Sequence, residues 1–395
     1  MVTVSEQYEA YPYPERDPAD ESKRLIEGSP SHPHEIDHFL FTGQRDWSRP
    51  FRVLVAGGGT GDGLIMLAQH LANAGHPHQI TYVDLSTASR RVAEARAKAR
   101  GLTNITFHTG SLLDAPDLGT FDYIDCCGVL HHLPDPAQGF AALRAAVAPD
   151  GGLGFMVYAP YGRSGVYPLQ QAFGALLEGL APAERLAKAR HLVEQLPEGH
   201  PFRLNPHLVD HRQSDAGFYD LLLHSQDRAF DVASLMSVLA STGWELADFT
   251  QPALYDLSRI ADVPDRMDRA AAMAIAEKLR GTIKLHVGYA APAGSGARVA
   301  SGRNRSAVPH LRGVGAKPLA QAIAQGKRPK LTVSGVETRL DLPKQAAPLI
   351  AGIDGRRSVA QILNAARLDP MQASTLWSQV DGALRPWGLL VYSGL

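Results

Sequence analysis

Cysteine is nearly absent: the 395 residues include two, adjacent at Cys126 and Cys127. Neighbours on a strand point to opposite faces, which disfavours a bond between them, and no Cys-x-x-Cys metal knuckle can form. Net charge is nearly absent too, at -1 from 39 basic and 40 acidic side chains. That removes any global pull toward nucleic acid or an anionic membrane. No apolar run approaches the roughly 20 residues of a membrane span. Residues 1–16 are polar and tyrosine-rich, without the apolar core of a secretory signal. A cytoplasmic chain is expected, with no membrane contact and no nucleic-acid partner. His32, His34 and His38, and the pair His207 and His211, lack the cysteines or carboxylates that would complete a metal set, so no metal is expected.

What is present is an ordinary globular composition, 45% hydrophobic and 20% charged, in a chain long enough for two or three units. Residues 1–50 form a preface broken by Tyr11-Pro12-Tyr13-Pro14, Ser29-Pro30 and His32-Pro33. Each proline removes a donor and fixes φ, so no single helix can run through it. Tyr8, Tyr11 and Tyr13 would either close over a ligand as a lid or pack the preface down. From residue 51 strands and helices alternate. Strands are expected at 52–56, 80–84, 105–108, 121–129 and 154–158, with helices at 61–74, 86–100 and 136–147 between them. This alternation predicts an α/β, doubly wound Rossmann-like sheet. A helical insertion occupies about 165–225. A helix at 232–241, a strand at 244–249, a helix at 266–280 and a strand at 283–290 then complete a domain spanning 51–290. Residues 291–308 have linker composition, with Arg298, Arg303 and Arg305 read as solvated. Residues 309–395 predict helices at 342–353, from Ser358, and at 370–384, then a strand at 389–392. That pattern makes a small winged-helix-like accessory domain.

The chemistry starts where the first strand meets Gly57-Gly58-Gly59-Thr60-Gly61-Asp62-Gly63. Glycines let the backbone turn tightly and approach a ligand. A glycine loop alone would also suit an NAD-dependent oxidoreductase, but the dinucleotide fingerprint Gly-x-Gly-x-x-Gly would put Asp62 at its last position. Asp84 ends the second strand in Tyr82-Val83-Asp84-Leu85-Ser86. There a carboxylate can accept from both ribose hydroxyls of a nucleoside. Asp114, in Gly110-Ser111-Leu112-Leu113-Asp114, follows the third strand and can accept from an adenine amine. The fourth strand leads into Cys127-Gly128-Val129-Leu130-His131-His132-Leu133-Pro134-Asp135-Pro136.

These residues resemble the class I S-adenosylmethionine-dependent methyltransferases, strongly over 51–158 and weakly over 230–290. The resemblance implies a seven-stranded sheet with the last strand antiparallel. It also implies a cofactor, S-adenosyl-L-methionine, held by Gly57, Gly59, Gly61, Asp84, Leu85, Ser111, Leu113, Asp114, Cys127 and Gly128. His131, His132 and Tyr161 are the candidate catalytic residues, with the two histidines alternatively shaping the loop after strand four. The activity implied is methyl transfer by in-line displacement to an acceptor the sequence does not identify, a small molecule or a peptide or protein. More narrowly, Gln7-Tyr8-Glu9-Ala10-Tyr11-Pro12-Tyr13-Pro14 with Asp84-Leu85-Ser86 resembles bacterial members often joined to tetratricopeptide repeats. One departure stands out. Many relatives have an acid two residues before the first glycine, against the cofactor's amino-acid end, and this chain has Val55. Asp62, the carbonyl of Cys127 or Gly128, or the preface would then hold the ammonium. The segment from Leu342 to Val359 resembles a small peptide-binding module, against which stands a generic winged helix that packs on the enzyme or joins two copies as a homodimer. A different class stays open: an inactive methyltransferase fold whose C-terminal module recruits a peptide or nucleic acid.

Overall fold

The computed structural model describes residues 3–296 and 298–395. Met1 and Val2, at the head of the preface, and Ala297, in the stretch read as linker, lie outside them. Seven strands form one sheet: β1 (Phe51–Ala56), β2 (His78–Asp84), β3 (Ile105–Thr109), β4 (Phe121–Cys127), β5 (Val147–Tyr158), β6 (Trp244–Phe249) and β7 (Leu285–Pro292). Their spatial order is β3-β2-β1-β4-β5-β7-β6. The first five are parallel, and β7 runs antiparallel to both β5 and β6. The chain winds outward from β1 through β2 and β3, then returns to place β4 on the other side of β1. That reversal opens a crevice at the carboxyl ends of β1 and β4.

β1 is buried except at Arg52, as a central parallel strand covered on both faces must be. Its alternation divides it between two layers, Val53 and Val55 packing into one and Leu54 and Ala56 into the other. Four helices matter for the site: α1 (Val4–Ala10), α2 (Pro33–Leu40), α3 (Asp62–Ala74) and α4 (Thr87–Ala99). α3 starts at Gly61 and stops at Gly75, both left-handed, so glycine punctuates both ends. α4 starts where the Ser86 hydroxyl accepts the Ser89 N–H. The insertion consists of helices Val166–Leu176, Pro182–Glu194, Pro201–Leu204 and Asp215–Leu222, around a core of its own that includes Phe173, Phe202 and Tyr219.

Several boundaries differ from the sequence expectation. β5 begins seven residues before the expected 154, because a bulge between its Phe121 and Tyr123 pairings carries the turn-like Pro149-Asp150-Gly151 inside the strand. The last strand is shifted two residues later than 283–290. In the C-terminal part, β8 (Pro309–Leu311) pairs antiparallel with β11 (Leu390–Tyr392), and β9 (Lys330–Val333) pairs with β10 (Val336–Arg339). The β9–β10 hairpin is alternately exposed and too short to give a periodic signal. Where one helix is expected over 342–353 there is a turn, Lys344–Ala346, then a single-turn helix, Ala347–Ala351. Pro343 and Pro348 account for the break.

This C-terminal part does not stand apart. Trp387 and Leu389 share a core with Leu254 and Tyr255 of the sheet region. The Asp37 carboxylate of α2 accepts from the Ser393 hydroxyl and the Gly394 N–H, both at 2.8 Å, and from the Arg45 N–H at 3.0 Å. His38 Nδ1 accepts the Tyr392 N–H. The stretch read as linker is itself tied down: the Ala300 N–H reaches the His38 carbonyl, and Arg305 bonds Ser374.

Candidate active site

A cavity of about 380 Å³ opens at the carboxyl ends of the central strands. Its floor is the loop after β1. Gly57 has φ of +69°, and a Cβ there would lie 2.4 Å from a Val129 methyl carbon, so both backbone and space require glycine. Gly59, at φ +52°, donates its N–H to Asp84 Oδ2 at 2.8 Å. Asp84 Oδ1 accepts the Ser86 N–H at the same distance. Burial pushes the Asp84 carboxyl up, and these two amides pull it back.

The preface roofs this floor. Tyr8, Tyr13, Pro14 and Arg16 line the cavity, and the Thr60 hydroxyl bonds the Pro14 carbonyl at 2.7 Å. Asp62 sits between two guanidinium groups, Arg16 at 2.6 Å and Arg96 at 2.7 Å. Burial works against its charge, and those cations still hold its pKa below the usual range.

The opposite wall is polar and buried. His132 Nδ1 lies 2.8 Å from the Gln226 carbonyl, so Nδ1 carries the proton and Nε2 keeps its lone pair. Among the described residues Nε2 has no partner. The His224 ring stacks on His132 at 3.7 Å. Its Nδ1 accepts the Gln226 N–H at 3.0 Å, so its Nε2 bears the hydrogen, 3.2 Å from the Tyr8 hydroxyl. Tyr8 and Tyr158 donate to the two oxygens of Asp220 at 3.0 and 2.8 Å. Burial, with His132 and Arg163 nearby, holds the His224 pKa well below its ordinary value, so the ring is neutral. The ligating atoms of His132, Asp220 and His224 fall within 4.8 Å of one another. With its tautomer fixed by the Gln226 amide, however, His224 faces the group with a donor rather than a lone pair. Behind this wall, Arg163 lies 3.6 Å over the Tyr158 ring and pairs with Asp227 at 3.2 Å.

Of the residues expected at a cofactor, Gly57, Gly59, Asp84, Leu85, Ser111, Cys127 and Gly128 line the cavity. Gly61 lies beneath, against Ala93. Leu113 and Asp114 are on an exposed turn and do not line it. His132 lines it. His131 is sealed behind, 3.9 Å from the Tyr158 ring, and Tyr161 sits in the turn Tyr161–Arg163 off the cavity. Sequence reasoning, which placed Tyr158 on the acceptor side, missed Asp125 and Asp220 as lining residues, and His224 behind them. Asp125 had a visible signal, an acid within the apolar run of β4. Asp220 had none.

Residues 54–153 match the family described as "Methyltransferase domain". Over those residues the chain carries a methyltransferase domain, within the seven-stranded sheet with an antiparallel β7 that the class I resemblance implies. An uncharacterised protein of Synechococcus sp. is 31% identical over 276 residues, covering 67% of this chain and 63% of that protein. A ubiquinone biosynthesis O-methyltransferase of Albidiferax ferrireducens is 35% identical over 95 residues, 24% of this chain and 36% of that enzyme. The chain thus spans less than two thirds of the length of these curated relatives. The structure of PKMT2 from Rickettsia typhi in complex with AdoHcy has the same fold, with a TM-score of 0.65 at 14% identity, covering 92% of this chain and 76% of that one.

Proposed function

We propose that the chain transfers a methyl group from S-adenosylmethionine to an acceptor hydroxyl or amine, with His132 as general base. One observation carries this reading. His132 lines the cavity with Asp84 and the glycine loop, and its tautomer, set by a backbone carbonyl, leaves Nε2 unprotonated and, among the described residues, without a hydrogen-bond partner in the cavity wall.

These residues fit the cofactor. The glycine floor leaves space no side chain could share, Asp84 keeps lone pairs for ribose hydroxyls, and Leu85 and Ser111 offer a wall for a base. When bound, the cofactor supplies a methyl group already activated on a sulfonium. The protein's part is alignment, exclusion of water and proton management. The preface and the insertion close the cavity against water. His132 Nε2 takes the proton that an attacking oxygen or nitrogen must lose. Asp220 neutralises the imidazolium so formed, and Tyr8 and Tyr158 fix Asp220. An acceptor without a proton, such as a carbanion or a thioether, would leave this arrangement idle. His131 and Arg163 hold Tyr158 in place and do not themselves meet the acceptor.

The test uses methyl-tritiated cofactor and extract from cells lacking the protein. His132→Ala is expected to lower label transfer about 100-fold or more, with affinity for S-adenosylhomocysteine unchanged. Label transfer surviving at the wild-type rate would sink the base assignment.

A further inference from the structure

Four aspartates line the cavity: Asp62, Asp84, Asp125 and Asp220. Three have their oxygens met by donors. Asp62 is paired with Arg16 and Arg96, Asp84 accepts two backbone amides, and Asp220 accepts two tyrosine hydroxyls. Asp125 is the exception. It is 2% exposed, and among the described residues neither of its oxygens has a hydrogen-bond partner of good geometry. The Ser31 hydroxyl beside it only partly offsets the burial, which raises the carboxyl to about 7. A buried carboxylate with both oxygens open is costly unless a cation arrives to meet it.

Its place in the sheet is specific. Asp125 is the register partner of Val55, so it stands on the strand beside the residue that enters the glycine loop. A Cβ on Gly63, in the first turn of α3, would lie 2.9 Å from Asp125 Oδ2. The same point lies 2.5 Å from the Ser31 hydroxyl, so any side chain at position 63 would press on both groups. Asp84 and Asp125 lie on the two strands flanking β1, Asp84 just past the partner of Ala56 and Asp125 level with Val55. Strand spacing and rise put their Cα atoms roughly 12 Å apart. A nucleoside held by its ribose at one carboxylate reaches the other with a short amino-acid arm. Arg16, the guanidinium lining the cavity, is committed to Asp62 and leaves Asp125 unmatched.

We propose that Asp125 receives the ammonium of the cofactor's amino-acid arm, the charge that Val55 leaves without a partner on β1. This rests on the methyltransferase reading above. The contact is a charge-assisted hydrogen bond between an N–H donor and a carboxylate acceptor, made in a site that excludes water.

Calorimetry with three probes tests it: S-adenosylhomocysteine, its analogue lacking only the amino group, and 5′-methylthioadenosine, which lacks the whole arm. Wild type is expected to bind S-adenosylhomocysteine about 30-fold more tightly than the desamino analogue. Asp125→Asn is expected to lose that same factor for S-adenosylhomocysteine while holding 5′-methylthioadenosine as wild type does, which also shows that the variant is folded. Equal affinity of wild type for S-adenosylhomocysteine and its desamino analogue would overturn the proposal without any variant. So would loss of 5′-methylthioadenosine binding in parallel with S-adenosylhomocysteine. Wild type binding none of the probes would overturn the methyltransferase reading along with it.

Discussion

The cavity has two walls made in opposite ways. The wall proposed for the cofactor comes from the ends of β1, β2 and β4 and the loops that follow them, each a few residues of contiguous chain. The wall proposed for the acceptor joins Tyr8 of the preface, His132 after β4 and Asp220 of the insertion, with His224 behind it. Its bonds from Tyr8 close over 212 and 216 residues. The first wall is a property of the fold. The second is a property of what this chain adds to the fold, so under the proposed function the first can stay constant while the second sets what is methylated.

The largest expected effect falls on the first wall. Asp84→Ala removes the acceptor for the ribose hydroxyls and also releases the Gly59 and Ser86 amides. S-adenosylhomocysteine affinity by calorimetry should drop about 100-fold or more. Unchanged affinity would mean the glycine loop works alone and would remove Asp84 from the site.

A smaller effect separates stability from binding. Asp125 is pushed up to about 7 by burial, against about 3.9 in an unfolded chain. The folded form therefore holds this proton more tightly. The group's cost to the ligand-free protein is absent below about pH 4, grows as pH rises toward 7, and is constant above. The whole span is roughly 2–4 kcal/mol. Denaturant midpoints of Asp125→Asn against wild type, followed from pH 4 to 8, should diverge in favour of the variant as pH rises. Parallel curves would show that Asp125 is not buried with an open charge.

The smallest effect tests the second wall. Tyr8→Phe keeps the ring and loses one of the two hydroxyls on Asp220. Label transfer should fall about fivefold, with cofactor affinity unaltered. A fall in affinity instead would make Tyr8 part of the cofactor wall and blur the contrast.

Legibility followed the same division. Gly57, Gly59, Asp84, Cys127 and Gly128 were readable because parallel strands deliver their ends to one edge in chain order. Asp114 was read from its place after the third strand and Leu113 from the family resemblance, and here their turn is exposed to solvent away from the cavity. Asp125 could have been found as the second of two acids in Phe121–Cys127, the one inside the apolar run, since a central strand does not bury a carboxylate without a reason. Nothing in the sequence pairs residue 8 with residue 224. That contact depends on how a proline-broken preface lies across a helical insertion, which neither periodicity nor spacing encodes. The shortened helix near Pro348 and the hairpin at 330–339 were lost for a simpler reason, since both are too short to repeat a pattern.

The paired cysteines that looked uninformative have a practical use. Cys126 is sealed in the core, while Cys127 is an exposed residue lining the cavity, and the chain has no other. Its surroundings push the thiol well above its ordinary pKa, so an alkylating dye would react slowly at neutral pH and faster in alkali. The protein thus contains one native chemical reporter at the mouth of β4. The rate at which that thiol takes up a dye is a clock that stops when the cavity is filled, and it needs no knowledge of the acceptor to be read.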